Sequence, residues 1–331
     1  MHPASAGIVL IGLALVPLAG QAYVIHVTTL ALIYCVLALG LQLLTGYAGQ
    51  LSLGQAAFFG VGAYTSALLA RDLGLPFWVT APVAAMFAAL LGACLAPLTR
   101  LRGHYLAVAT LGFGEIVYLV LVNWETVTRG PFGLINIPPP AVGGFVLGTA
   151  DRFYYLALAV AATAYVLVAR LTRDGSRFGR GLRAIRQNEL AAAAVGVSPL
   201  TYKVQAFVLS AALAGLAGSL FAHFDGYLNP GEFRLDTSIL VLLMIVVGGL
   251  GRPGGAILGA FVLVFASEYL RFLKEYRMLV YGLGLIACMM YLPGGLSQAV
   301  GMLAEAGRAA VRWITRYQSG AAVYPRGKVG V

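Results

Sequence analysis

Glu115 is the one carboxylate that stands well inside an apolar stretch of the chain, between Tyr105 and Val122. An acidic group there is costly unless it is paired or faces water, so it marks a functional position by default. Thr110, Gly112 and Gly114 lie on adjacent turns. A structural hydrogen bond between helices would account for the same carboxylate, and both readings are open. A second candidate is Gly46-Tyr47-Ala48-Gly49-Gln50-Leu51-Ser52-Leu53-Gly54-Gln55, too polar and too rich in glycine for a lipid-facing helix. Glycine frees the backbone to unwind, and unwound backbone at membrane depth is tolerated only where it is buried or lines a wet cavity. Gln50, Ser52 and Gln55 would then offer neutral hydrogen-bonding groups along a pathway; tight packing by small residues is the competing reading. The stretch Gly248-Gly249-Leu250-Gly251-Arg252-Pro253-Gly254-Gly255 repeats the Gly46/Gly49 spacing and splits the apolar run 237–270 into two short pieces. Paired, glycine-interrupted segments in two halves point to a transporter.

Covalent and metal chemistry find no support. No G-x-x-x-x-G-K-[S/T] phosphate loop exists; the one Gly-Lys, Gly327-Lys328, is followed by Val329, so the chain itself has no usual means to hold and hydrolyse ATP. His2, His26, His104 and His223 are scattered singly and read as packing or interface residues. Cys35, Cys94 and Cys288 sit inside apolar runs without ligand spacing, which suits reduced packing residues. No catalytic residue and no metal site is expected, and a membrane-embedded enzyme lacks its constellation. The job that remains is moving something across a bilayer.

A third constellation is basic. Arg170, Arg173, Arg177, Arg180, Arg183 and Arg186 run at helical spacing, followed by Asn188-Glu189-Leu190, Ala191 to Ala194, Gly196 and Pro199. This predicts a short helix of Ala, Arg and Glu that ends at Gly196 and Ser198-Pro199. Such a helix can seat in a groove on a partner, with Arg and Glu fixing its orientation. Pairing of the arginines with lipid phosphates explains the basic run alone, but not the patterned Ala-rich helix after it.

The elements that must position these residues follow from composition. Of 331 residues 60% are hydrophobic and 10% charged, and the mean hydropathy is +0.87. A soluble domain carries roughly a quarter charged residues, so this is an integral membrane protein. The apolar runs 6–20, 22–44, 51–70, 77–98, 104–122, 153–169, 201–224, 237–250, 255–270 and 278–292 are continuous and do not alternate with polar residues. They predict an all-α polytopic protein of about ten transmembrane helices, not a barrel. The first run lacks a basic flank and a cleavage site and is read as a retained helix.

The net charge of +10 is confined to three places: +4 in the 170–189 link, +4 from Glu305 onward and +2 at Arg100 and Arg102. With ten spans all three fall on one side, which the positive-inside rule makes the cytoplasm, together with both termini. The 123–152 and 225–236 links are neutral and acidic, as external loops allow; Arg271, Lys274 and Arg277 fit less well. The charge therefore reads as orientation and docking, not as a nucleic-acid surface. The expected division is a permease domain over 1–300, with a cytoplasmic coupling loop at about 170–200, and a basic tail over 301–331.

Taken in order, these segments resemble the inner-membrane permeases of branched-chain amino acid ABC transporters, in particular the LivM-like subunit. The resemblance is carried by Gly46 to Ala56 with Phe58 to Tyr64, by Arg102-Gly103-His104-Tyr105 and Thr110-Leu111-Gly112-Phe113-Gly114-Glu115-Ile116, and by Thr128 with Gly130-Pro131-Phe132-Gly133-Leu134. It continues through Gly179 to Arg186, Asn188-Glu189, Gly196, Tyr202-Lys203, Ala206-Phe207, Ala214 to Gly218 and Gly248 to Gly251, covering roughly 25–295. The Arg-rich tail after 300 falls outside it. The resemblance implies a homologous LivH-like permease, two ATP-binding cassette subunits and a periplasmic substrate-binding protein as partners, beside membrane lipid, in the bacterial inner membrane. It implies no cofactor of the chain's own, ATP being used by the partners. The pathway would involve Gly46, Gly49, Gln50, Ser52, Gly54, Gln55, Thr110, Gly114 and Glu115, and the ATPase coupling Arg183, Arg186, Glu189 and Gly196. Leu, Ile and Val are the implied cargo; a urea or short-amide permease, or an ion-coupled carrier working alone, are the alternatives.

Overall fold

The computed structural model describes residues 17, 21–101, 103–142, 145–270, 279, 282–284, 286, 290 and 294–298. The expected first span 6–20, most of 278–292, Arg102, Arg271, Lys274, Arg277, Cys288, His2 and the basic tail lie outside them.

The centre is α1, Ala22–Leu41, which is apolar all round and, past its exposed first turns at Ala22, Tyr23 and His26, is buried on every side from Val27 onward but for the half-buried Leu30. It runs into a single π-turn, Gln42–Tyr47, with all six residues buried. Around it stand α2 (Gln55–Asp72), α3 (Phe77–Cys94) and α4 (His104–Asn123). The short turn α5 (Glu125–Thr128) opens a long link, closed by a two-residue β-hairpin that pairs Ala141 with Val146. The chain then forms α6 (Ala150–Thr172), α7 (Arg177–Gln187), α8 (Glu189–Ala194), α9 (Pro199–Asp225), α10 (Leu235–Gly248) and α11 (Pro253–Tyr269).

α9 packs against α2, α3 and α1, while α1 also meets α6 and α11. The α2–α9 crossing is made backbone to backbone: a side chain on Gly62 would strike Gly215, and one on Gly218 would strike Phe59 O. Without a hydrophobic drive between helices in lipid, such close approach is what holds them together. Outside this core, α3 turns Trp78, Met86, Phe87 and Leu90 outward, and α6 turns out Tyr155, Val166 and Leu167.

Eight of the expected spans correspond to described helices, with two differences. The run 51–70 becomes helical only at Gln55, because 48–54 is irregular and buried or half-buried but for Gly49. The glycine break at 249–252 leaves α10 with 14 residues and α11 with 17. At about 1.5 Å per residue both are shorter than the roughly 30 Å hydrocarbon core. The single helix of Ala, Arg and Glu expected to end at Gly196 is two, α7 and α8. Asn188 separates them because its side chain accepts from the N–H groups of Leu190 and Ala191, at 3.0 and 3.1 Å, and starts a new helix.

Candidate pathway and coupling site

Gln42 sits at the start of the π-turn, fully buried. Its Nε2 donates to Gly249 O and Arg252 O, both at 2.9 Å. The backbone turns at Gly249 and Gly251, at φ +117° and +78°, and Arg252 O also accepts from Gly255 N at 2.9 Å. A Cβ on Gly46 would lie 2.8 Å from Gly251 N, so the two glycine-interrupted segments touch. Their shared spacing alone does not place them in contact; Gln42, which ties them, has no signal in sequence beyond being a lone amide in an apolar run.

Arg186 of α7 reaches into this junction and donates from Nη1 to Gly46 O, a carbonyl left available beyond α1. Its aliphatic stem lies over Gly49, whose φ of +70° favours glycine and whose added Cβ would come 3.1 Å from Arg186 Cγ. Arg183 donates to Thr172 O at 2.8 Å and pairs with the exposed Asp174 at 3.0 Å. Glu189 at the start of α8 pairs with the buried Lys203 of α9 at 2.8 Å. Gly196, at φ +85°, turns the chain from α8 toward α9. Leu190 and Val195 stand 70% and 78% exposed on this element, an apolar surface left open among the described residues.

The remaining expected pathway residues divide in two. Gln50, Ser52, Gly54, Gln55 and Thr110 are buried and held by hydrogen bonds or close packing. Gln50 Nε2 donates to Thr99 O at 3.0 Å, while its Oε1 is buried without a hydrogen-bond partner among the described residues. Ser52 Oγ accepts from Gly54 N at 3.3 Å. Gln55 and Ser210 are joined across α2 and α9. Thr110 Oγ1 accepts from Leu53 N at 2.9 Å and donates back to Leu106 O, pinning the irregular segment to α4. Glu115, by contrast, is exposed, and Gly114 has only Leu53 O near its side-chain position, at 3.8 Å.

Gly49 and Gln50 from the irregular segment, and Arg186 and Glu189 from the coupling loop, line one cavity of about 160 Å³ together with Lys203 and Gly103. Residues assigned separately to pathway and coupling therefore share a chamber. Lys203 is not among the residues that the sequence marks for coupling; its sign, opposite to that of Glu189, is the one clue the sequence holds.

At the other end of α2 lies a larger cavity of about 500 Å³, lined by Arg71, Asn136 and His223 among others. His223 contacts Ser66 Oγ at 3.0 Å and Pro138 O at 2.7 Å, a packing role as expected for a lone histidine. Arg71 beside Asp72 holds that carboxyl below its usual range through a 2.6 Å hydrogen bond. Cys35 is buried, but Cys94 is exposed at the end of α3 and does not pack inside, because its position falls on the outward stripe with Leu90. Among the described residues no group of three His, Cys, Asp or Glu is placed to hold a metal.

Residues 23–289 match the family described as branched-chain amino acid transport system permease component. The chain belongs to that family. It is 38% identical over 296 residues to the high-affinity branched-chain amino acid transport system permease protein LivM of Escherichia coli K12, covering 82% of this chain and 69% of that one. A probable LivM of Methanocaldococcus jannaschii is 26% identical over 60% of this chain and 61% of its own. The permease is also similar to the LivH permease protein of the same Escherichia coli system, at 22% identity over 81% of this chain and 92% of LivH. No solved structure matches it. Family and apolar helices together make it a polytopic integral membrane transport protein.

Proposed function

We propose that this permease is one membrane subunit of an ABC importer that carries leucine, isoleucine and valine across the bacterial inner membrane. It works beside a LivH-like permease, is driven by two separate ATP-binding cassette subunits and receives cargo from a periplasmic binding protein, with both its termini in the cytoplasm. The single observation that supports this most is the shared chamber: Arg186 and Glu189 of the cytoplasmic loop border the same space as Gly49 and Gln50. A force on α7 and α8 from an ATPase would reach the unwound segment directly through the Arg186–Gly46 hydrogen bond. Leu190 and Val195 give that ATPase an apolar seat. The relatives named for branched-chain amino acids favour that cargo over urea or a short amide.

The test is uptake by the complete complex in proteoliposomes, with the binding protein supplied. Leucine uptake should require ATP, and Arg186→Ala should reduce it at least tenfold while the complex still assembles and hydrolyses ATP. Accumulation of leucine by the purified chain alone, under an ion gradient, would overturn the proposal.

A further inference from the structure

Glu115 is the one Asp, Glu, Lys or Arg near the middle of a described spanning helix. It is twelfth of the 20 residues of α4, which at about 1.5 Å per residue places it roughly 16 Å from one end and 12 Å from the other. There it is exposed, on the stripe formed by Tyr105, Val108, Gly112, Ile116 and Leu119. An unpaired charge at that depth does not face hydrocarbon. The other two broad outward faces are built differently. Between their ends α3 and α6 show only uncharged residues, such as Phe87, Leu90 and Val166, which suits lipid.

Three further observations say what covers α4. One turn before Glu115, a side chain at Gly112 would meet nothing within 4 Å, leaving a notch for close approach of another helix. The opposite side of α4 is covered by the chain's own irregular segment, held through Thr110 and Leu53, so the face bearing Glu115 is the one turned away from the rest of this bundle. The Escherichia coli system has both a LivM and a LivH permease, each similar to this chain over about four-fifths of its length. Two related chains meet most simply about a pseudo-twofold axis, with equivalent surfaces opposed.

We propose that the open face of α4 seats the second permease, and that Glu115, on the water-filled seam between the two, receives the ammonium group of the carried amino acid. This rests on the importer reading above. A carboxylate and an ammonium are complementary, and a dry, low-dielectric wall strengthens their attraction. The cargo's apolar side chain would meet the apolar residues of the same stripe, Val108 and Ile116.

Both halves are tested on the complete complex. A benzophenone amino acid placed at Ile116 should give a light-dependent adduct with the second permease, and the same group at Phe87 of α3 should not. Glu115→Gln should leave assembly and leucine binding by the binding protein unchanged while lowering the uptake rate at least tenfold. Glu115→Asp, which keeps the charge, should stay within about threefold of the unaltered complex. Adducts from Phe87 but not Ile116 would overturn the surface. Unaltered uptake by Glu115→Gln, or loss of the second permease from that complex, would overturn the ammonium role, the latter by making Glu115 an interface ion pair. Failure of the importer reading is separable, because it would appear as absent ATP-dependent uptake in the unaltered complex.

Discussion

At the scale of single residues, the Glu189–Lys203 pair shows how unequal two partners can be. Lys203 keeps 7% of its side chain exposed and Glu189 30%. Glu189→Gln therefore leaves a buried ammonium without its counter-charge, at an expected cost of about 3 kcal/mol, the lower end for a buried pair because Glu189 is partly exposed. Lys203→Met leaves a carboxylate that water still reaches, at about 1 kcal/mol. The double variant should be more stable than Glu189→Gln alone, because the stranded charge is gone. Thermal unfolding of the purified permease in detergent measures all three. A Glu189→Gln loss no larger than that of Lys203→Met would refute this account. In sequence these two residues are visible but their meeting is not, since they stand fourteen positions apart with the reversal at Gly196 between them. Gln42 is a similar case, readable as an amide in an apolar run but not as the tie to Gly249.

At the scale of elements, helix existence is legible because continuous apolar runs leave few options, and breaks are legible where glycines cluster. The break at Asn188 is not, since Ala, Arg and Glu on either side all favour one continuous helix. A local side-chain cap wins there over propensity. Asn188→Ala should lose about 1 kcal/mol of cap stabilisation and let α7 run on into α8, tilting Leu190 and Val195 away from an ATPase. Co-purification of the ATPase subunits with this variant should drop severalfold, with the permease itself still folded; full retention would show that the break plays no part in docking. The α2–α9 crossing makes an independent prediction. Gly218→Ala places a methyl against Phe59 O, and overpacking of this kind costs typically 1–3 kcal/mol. Gly112→Ala in the isolated chain meets open space and should lose nothing, so the two variants compared in one melting experiment separate packing from glycine propensity.

At the scale of the whole molecule, the charge distribution and the fold bear on the same question from different directions. Leu101, next to Arg100, and Gly103 line the same cavity as Ile185 and Arg186 of the six-arginine link, so Arg100 and that link lie at one end of the bundle. At another place the links 123–152 and 225–236 are joined by the Leu134–Leu228 bridge. That pairing follows the parity that counting apolar runs assigns to those loops. Because short basic loops are retained on the cytoplasmic side, the end bearing Arg100 and Arg186 should face the cytoplasm. A phosphatase that is active only outside that membrane should be active when inserted after Gly148 and inactive when inserted after Gln187. The reverse pattern would invert the molecule. It would put α7 and α8 out of reach of any ATPase and would therefore remove the proposed coupling together with the orientation. Replacing Arg173, Arg177, Arg180 and Arg183 by Gln removes most of the charge from that link, and the insertion after Gln187 should then gain partial activity if these arginines set the orientation.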